Sequence, residues 1–427
     1  MRNHLKLFTA CAATATALVG CGGGLVNGGN VRLVNATSAF ATLDLLDGST
    51  KISTGVATNT AGGYAEIDKG SHSFNIADDA TGVTDATLSG SVSKDAHYTI
   101  VAYTTGGALA TAFLSDDEGS PSSGTAKLRF FNSATTDVAS IDAYIVATAC
   151  SALASSFAAP IATSISGLQA TYTQVNATGP GSTYHVCVTA AGDKTDLRLD
   201  IASVTLKDQQ ILTVILTPTA GGVLLNGLLL SQQSTLTSAA NGSARIRLAV
   251  GTSGVQTVSA SASGVTLGTG LTPPAVGNYK LVPANTALPV TVNGNTFPIS
   301  AAPGADLTLL VTGDGSSTPV VIADGNSAST STMNPVKIRL VNGMNGVSNA
   351  ILTDDLNNVG DAATFGATSG YAQVAASSAL ARLEATSGIT TLCLSTDVTL
   401  NSGSVYTVFV LGDIPSAAST CTIRVDR

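Results

Sequence analysis

From residue 31 onward the chain alternates short apolar runs with small polar ones, in the rhythm of strands. Ser71-His72-Ser73-Phe74-Asn75-Ile76, Ile141-Asp142-Ala143-Tyr144-Ile145 and Tyr184-His185-Val186-Cys187-Val188 alternate with period two, as strands with one buried face do. Between such runs, rich in Val, Ile, Leu, Thr and Tyr, stand Gly, Asn, Asp and Ser. Asp47-Gly48 and Asn293-Gly294 are tight-turn dipeptides. No segment sustains a helical period beside a charged face. The best helical candidate is Ala149 to Ala159, Ala-rich and closed by Pro160, and it reads as an insertion.

The pattern repeats. A basic-and-aliphatic strand occurs at Val31-Arg32-Leu33-Val34-Asn35, Leu128-Arg129-Phe130-Phe131-Asn132, Ile246-Arg247-Leu248-Ala249-Val250 and Ile338-Arg339-Leu340-Val341-Asn342. Each is followed by a tyrosine, Tyr64, Tyr172, Tyr279 or Tyr371, that opens Tyr-x-x-Ile or Tyr-x-x-Val. Last comes a closing strand: Tyr98-Thr99-Ile100-Val101, Leu212-Thr213-Val214-Ile215, Leu307-Thr308-Leu309-Leu310 or Tyr406-Thr407-Val408-Phe409. Three markers in one order, four times, at a period far above that of solenoid units, make each copy a small domain. The expected fold is all-β, with tandem immunoglobulin-like or transthyretin-like sandwiches at residues 31–115, 125–233, 242–324 and 335–427. The stretches 115–124, 234–241 and 324–334, rich in Ser, Thr, Asn or Gly, are the expected boundaries.

The first 30 residues break the pattern. Arg2 and Lys6 supply positive charge, and the run from Leu5 to Val19, mostly apolar and interrupted by Lys6 and three threonines, is too short to span a bilayer, which needs about 20 apolar residues, but of the length of an export signal. Leu18-Val19-Gly20-Cys21 resembles the lipobox of bacterial lipoproteins. That resemblance implies a signal peptide at 1–20, cleavage between Gly20 and Cys21, and palmitate-type acylation of Cys21. Residues 21–30, with Gly22-Gly23-Gly24 and Asn27-Gly28-Gly29-Asn30, then read as a flexible tether. Gly22 rather than Asp after the cysteine favours the outer membrane. The expected partner at this end is the membrane, through the lipid.

Charged residues make up 11% of the chain and aromatics 4%, with no Trp. Loss of Arg2 and Lys6 with the signal takes the formal charge from −8 to −10. An acidic body without a basic patch argues against nucleic acid as a partner. Beyond Cys11 in the signal and Cys21, four cysteines remain, Cys150 with Cys187 and Cys393 with Cys421. An even count in an exported chain points to disulfides, and sequence proximity selects this pairing among three. Neither pair has the CxxC spacing of a zinc or redox site, so no metal is expected.

At this point the repeat resembles the domain of unknown function 4397, a family common in bacterial exported lipoproteins. Its first strand, Val-Arg-Val-Val-Asn-Ala, is matched by Val31 to Ala36, and its acidic-aliphatic strand by Leu43-Asp44-Leu45-Leu46-Asp47-Gly48. Its middle stretch is echoed by Gly63-Tyr64-Ala65-Glu66-Ile67-Asp68-Lys69-Gly70-Ser71-His72-Ser73-Phe74, and its closing strand by Tyr98 to Val101 and Tyr406 to Phe409. The third copy departs, with Val250 where the others carry Asn35, Asn132 and Asn342. The resemblance implies a β-sandwich and a surface location, and brings no enzyme activity.

Little in the chain points to catalysis. Outside the signal the histidines are His72, His97 and His185, and neither a Gly-x-Ser-x-Gly elbow nor a His-Glu-x-x-His helix occurs. Asp116-Asp117-Glu118, Asp78-Asp79 and Asp354-Asp355 lack the regular pattern of a calcium loop and read as solvated turns. The recurrent arginines suggest a sheet-edge or inter-sheet structural role, and the tyrosines core or corner positions. The expectation is a non-catalytic, cofactor-free, lipid-anchored envelope protein whose sandwiches act as spacer or binding modules, with an envelope protein or glycan as possible partner. A glycan-binding adhesin is the second reading and an exported hydrolase the third.

Overall fold

The computed structural model describes residues 27–177, 181–329, 333, 335–415, 417 and 419–427. The expected signal, its cleavage site at Gly20 and Cys21, and most of the tether lie outside them. The described residues are all-β, with paired sheets of tandem sandwiches and a single short helical element, the 3-10 turn Cys150–Ser155. That turn falls inside the expected insertion but is shorter than its Ala-rich sequence promised. We number the four sandwiches in chain order.

Each sandwich has one sheet built around its arginine strand: Gly28–Asn35, Thr125–Asn132, Ser243–Thr252 and Val336–Asn345. On one side runs the closing strand, His97–Thr105, Ile211–Pro218, Asp306–Gly313 or Val405–Asp413, in parallel register with the arginine strand. On the other side lies the short strand that follows the repeated tyrosine, such as Ala65–Asp68 or Thr173–Asn176, running antiparallel. A hairpin partner of the closing strand completes the sheet, for example Ala108–Ser115 in domain 1. The second sheet of domain 1 is Thr50–Ala57, Thr42–Asp47, Gly70–Asp78 and Thr84–Val92, in that order, and the other domains repeat it.

The arginine strands are therefore central, and they are buried on both faces. Val31 and Leu33 point into the core of domain 1, with Leu43, Leu45, Phe74, Ile76 and Ile100. Val34 points the other way. The same split holds for Leu128 and Phe130 against Phe131, and for Ile338 and Leu340 against Val341.

The asparagine that ends three of these strands fastens the crossover to the second sheet. Asn35 Nδ2 donates to the carbonyls of Phe40 and Val56, each at 3.1 Å. Asn132 donates to Val138 and Ile165, and Asn342 to Val347 and Ala363. Each also accepts an amide two residues on, from Thr37, Ala134 and Met344. A buried backbone group left unpaired is costly, so one side chain that satisfies three closes the loop efficiently. Val250 in the third copy makes none of these bonds; there Thr252 donates to the carbonyl of Gln256 at 2.6 Å.

Two expected boundaries shift. Gly28 and Gly29 belong to the first strand rather than to a flexible tether. A Cβ on Gly29 would lie 2.5 Å from the Ser93 carbonyl, and one on Gly28 2.8 Å from that of Ile67, so these glycines allow close backbone approach. Domain 2 continues past residue 233, because Leu236–Ala239 pairs with Leu225–Ser231 as an edge strand.

Candidate functional site

The outward faces of the arginine sheets do not meet solvent. Those of domains 1 and 2 pack on each other through Val34, Val101, Leu114, Phe131, Ile215, Leu228 and Leu230. Domains 3 and 4 do likewise through Ala249, Leu310, Ile322, Val341, Phe409 and Leu411. The backbones come very close there: a Cβ on Gly251 would lie 2.3 Å from the Gly343 carbonyl oxygen. Strands sandwiched in this way read as continuous apolar runs instead of alternating ones.

The four arginines sit in these two interfaces, not at sheet edges or between the sheets of one sandwich. Arg247 and Arg339 are among the largest fully buried side chains of the molecule. Every arginine makes the same local contacts. Its Nε donates to the threonine beside it on the closing strand: Thr99 at 2.8 Å, Thr213 at 2.9 Å, Thr308 at 2.7 Å and Thr407 at 3.2 Å. Parallel register dictates this pairing, since Arg32 lies opposite Thr99, Arg129 opposite Thr213, Arg247 opposite Thr308 and Arg339 opposite Thr407. The guanidinium lies over the repeated tyrosine, 4.5 Å from the ring of Tyr64, 4.6 Å from Tyr172 and Tyr279, and 4.5 Å from Tyr371. These tyrosines are thus cation-π platforms for the arginines rather than core or corner residues.

A carboxylate completes the arrangement in three domains. Asp116, Asp324 and Asp426 each follow or end the hairpin strand and accept from the threonine hydroxyl, 17, 16 and 19 residues earlier. Asp116 also takes the Tyr64 hydroxyl at 2.5 Å and Arg32 at 3.3 Å. It is buried, so the stretch 116–118 is not a solvated turn; its first acid neutralises an interfacial arginine. Asp324 takes the Tyr279 hydroxyl at 2.6 Å.

In the second pair the carboxylates are exchanged. Arg339 of domain 4 binds Asp324 of domain 3, while Arg247 of domain 3 binds Asp426 of domain 4, with its second contact at 3.1 Å. Arg247 also lies 3.6 Å from Asp324. Burial disfavours the charge on Arg247, but the carboxylates of Asp426 and Asp324 offset it, and its pKa moves up. Burial, then Asp324 and Asp426, hold the Tyr279 phenol firmly neutral.

The first pair differs by one charge. Gln232 stands where the hairpin of domain 2 meets the start of the closing strand, its amide bonded to the Ile211 carbonyl as that of Asp116 is to His97. Its side chain bonds the Glu118 backbone instead of an arginine. Among the described residues Arg129 therefore has no carboxylate contact; it donates to the Ser115 carbonyl at 3.3 Å and has its pKa lowered, chiefly by burial. Arg32 reaches across to the Ser234 carbonyl at 2.5 Å.

Elsewhere the other marked residues find local partners. Asp44 accepts the amide of Gly55, which holds φ 61° in a bulge, and pairs with Lys51 at 2.5 Å. Asp142 accepts amides from Ser164 and Gly192. Asp78 caps its own turn through Ala80 and Thr81. His72 contacts Asp47 at 2.8 Å, and His97 lies near Asn30 and Asp117. Cys150 is bonded to Cys187, and Cys393 to Cys421. A cleft of about 480 Å³ opens where domains 2 and 3 meet, lined among others by Cys150, Lys194, Leu197, Asp200, Val265 and Leu281.

The carboxylates Asp324 and Asp426 escaped sequence reasoning. Their signal was a fourth marker, an acid 16 to 19 residues after the closing-strand threonine; Asp324 was obscured by its place at the start of a stretch that reads as linker.

Residues 29–144 match a family described as a domain of unknown function, DUF4397. No curated protein matches the chain. Among solved structures, the chain is similar to a family CBM26 module from Eubacterium rectale Amy13K, crystallised with maltoheptaose. That likeness has 10% identity and a TM-score of 0.15, over 50% of this chain and 97% of that one. Similarity to the Bacillus anthracis TIE protein has 9% identity and a TM-score of 0.13, over 91% of this chain and 68% of that one. At such scores neither likeness bears on function.

Proposed function

We propose that this chain, whose residues 29–144 match DUF4397, is an exported, lipid-anchored, non-catalytic envelope protein. Its sandwiches serve as spacer or binding modules held on the outer membrane through Cys21. One observation carries the non-catalytic reading. The polar residues that recur from copy to copy are gathered at the contacts between paired domains, where the tyrosine and threonine of each copy hold its arginine and each arginine bonds across to the neighbouring domain. What the copies share is a means of assembly. A catalytic constellation would need such groups facing a substrate.

Two disulfides fit an oxidising compartment, and no helix among the described residues is long and apolar enough to cross a membrane. Anchoring through Cys21 is tested by labelled palmitate and membrane fractionation: the wild type incorporates label and sediments with membranes, and Cys21→Ser does neither. Retention of both by the variant overturns the anchor. The binding role is tested with soluble residues 25–427 against envelope extracts and glycans. Specific capture identifies a binding module, and a clean negative leaves the spacer role. Turnover of an ester, peptide or glycoside, lost on substitution of His72, His97 or His185, overturns the non-catalytic reading.

A further inference from the structure

The outer face of the second sheet of domain 2 carries a cluster that the domain interfaces do not use. His185 and Cys187 are two apart on strand Ser182–Ala190 and so share one face, while Val186 and Val188 enter the core. Asp200, on the neighbouring strand, is the register partner of Cys187. The 3-10 turn Cys150–Ser155 covers this face and brings in Cys150, with Leu153 packed beside it. Lys194 pins the insertion by donating to the carbonyls of Ser156 at 3.3 Å and Ala158 at 2.6 Å. The result is that the Cys150 sulfur, a His185 ring nitrogen and an Asp200 oxygen all lie within 4.8 Å of one another. Cys150 and Asp200 also line the cleft between domains 2 and 3, which gives a small ion a path to them.

We propose that this is a redox-gated site for a thiophilic divalent cation of the zinc type. In the oxidised chain the two sulfurs are bonded to each other and supply no thiolate. A dithiol reductant, small or proteinaceous, reduces the Cys150–Cys187 bond by two electrons and is itself oxidised to a disulfide, leaving two thiols on the chain. Zinc then displaces one proton from each thiol to solvent and takes Cys150, Cys187, His185 and Asp200 as its ligands. A disulfide oxidant then takes two electrons from the Cys150 and Cys187 thiolates, is itself reduced to a dithiol with two protons from solvent, re-forms the sulfur–sulfur bond and releases the ion. Tetrahedral zinc, with bonds of about 2.0–2.3 Å, sets its ligands about 3.3–3.8 Å apart, a modest side-chain rotation from the observed spacing. The spacing of the cysteines in sequence hides this set, because His185 and Asp200 join it only across strands. The second disulfide, Cys393–Cys421, has no such company among the described residues, and serves as an internal control.

The test uses the full chain, oxidised and after phosphine reduction, with zinc and cobalt(II) as probes. Reduced protein should hold one zinc per chain after desalting, and oxidised protein none. Zinc should slow alkylation of Cys150 and Cys187 at least tenfold and leave Cys393 and Cys421 unaffected. His185→Gln and Asp200→Asn should each weaken zinc binding at least tenfold. Because reduction could itself loosen the domain, Cys187→Ser supplies a second route. It frees Cys150 without reductant and should show a sulfur-to-cobalt charge-transfer band that Cys187→Ser/His185→Gln lacks. Equal zinc in reduced wild type and His185→Gln, equal protection of both cysteine pairs, or no cobalt band in Cys187→Ser overturns the proposal.

Discussion

The exchanged carboxylates between domains 3 and 4 make a demanding prediction. Asp324→Ala removes the partner of Arg339, the acceptor for the Tyr279 and Thr308 hydroxyls, and one of two negative charges near Arg247. Two guanidiniums then share Asp426 inside a contact where Arg247 and Arg339 are almost fully buried. Breaking a buried ion pair from one side costs about 3–5 kcal/mol, because the remaining charge is left uncompensated. The loss should fall on the contact between the domains, since Asp324 and Arg339 belong to different ones. Denaturant unfolding followed by native-state hydrogen exchange provides the assay, with protection of the strands 243–252 and 336–345 read separately. The whole chain need not unfold in one step, so local protection is the safer readout. A double-mutant cycle with Arg339→Met isolates the pair, and its coupling should exceed about 2 kcal/mol. A loss below about 1 kcal/mol, or a coupling near zero, would show that the paired domains do not depend on this exchange.

Other outcomes follow from single contacts. Asn342→Ala leaves the carbonyls of Val347 and Ala363 without their donor and should destabilise domain 4 by about 1–3 kcal/mol per orphaned group, measured as a shift in thermal midpoint. Val250, at the equivalent place in domain 3, should tolerate Ala with less loss. Gly251→Ala would thrust a methyl to within 2.3 Å of the Gly343 carbonyl, so proteolysis between domains 3 and 4 should become faster while each sandwich keeps its far-ultraviolet spectrum. For Asp44, burial raises the carboxyl pKa, but Lys51 and the Gly55 amide outweigh it, and the net shift is downward from 3.8. A lowered carboxylate contributes stability above its unfolded pKa and loses it as pH falls through the folded value. Asp44→Asn should therefore flatten the acid limb of stability below about pH 4, and an unchanged acid limb would contradict the assignment.

Much of the fold was legible because each sandwich is written in period two with turn residues between strands. The arginine, tyrosine and closing-strand markers located every copy. What they did there was not legible. Val34, Phe131 and Val341 sit at positions where an outward-facing residue should be polar, and that mismatch was the trace of a second buried face. Sequence alone does not say whether such a face meets another domain or another sheet. For the same reason the arginines looked like edge or inter-sheet residues, though they are central in their sheets and face a neighbouring domain. Asp324 and Asp426 each hold the threonine of their own domain, but their closest ion pairs run across domains, to Arg339 and Arg247. The group of His185, Asp200 and Cys150 likewise depends on strand register and on a turn that folds back over the sheet.

The parallel pairing of first and closing strands has a mechanical consequence. In domain 1 the chain comes in beside His97, opposite Asn30, and goes out at Asp116, whose amide bonds the His97 carbonyl. Domain 4 follows the same plan, with Lys337 opposite Val405 and Asp426 bonded to the Val405 carbonyl. Both connections of a sandwich thus leave from one rim. Tension applied along the polypeptide would peel the outer hairpin strand one rung at a time, instead of shearing a whole ladder at once. A chain held at one end of a sandwich and tugged at the other would yield gradually, strand by strand. The first catch to slip would be the clasp of Arg427 on Asp137 and the Thr136 carbonyl, which ties domain 4 to domain 2.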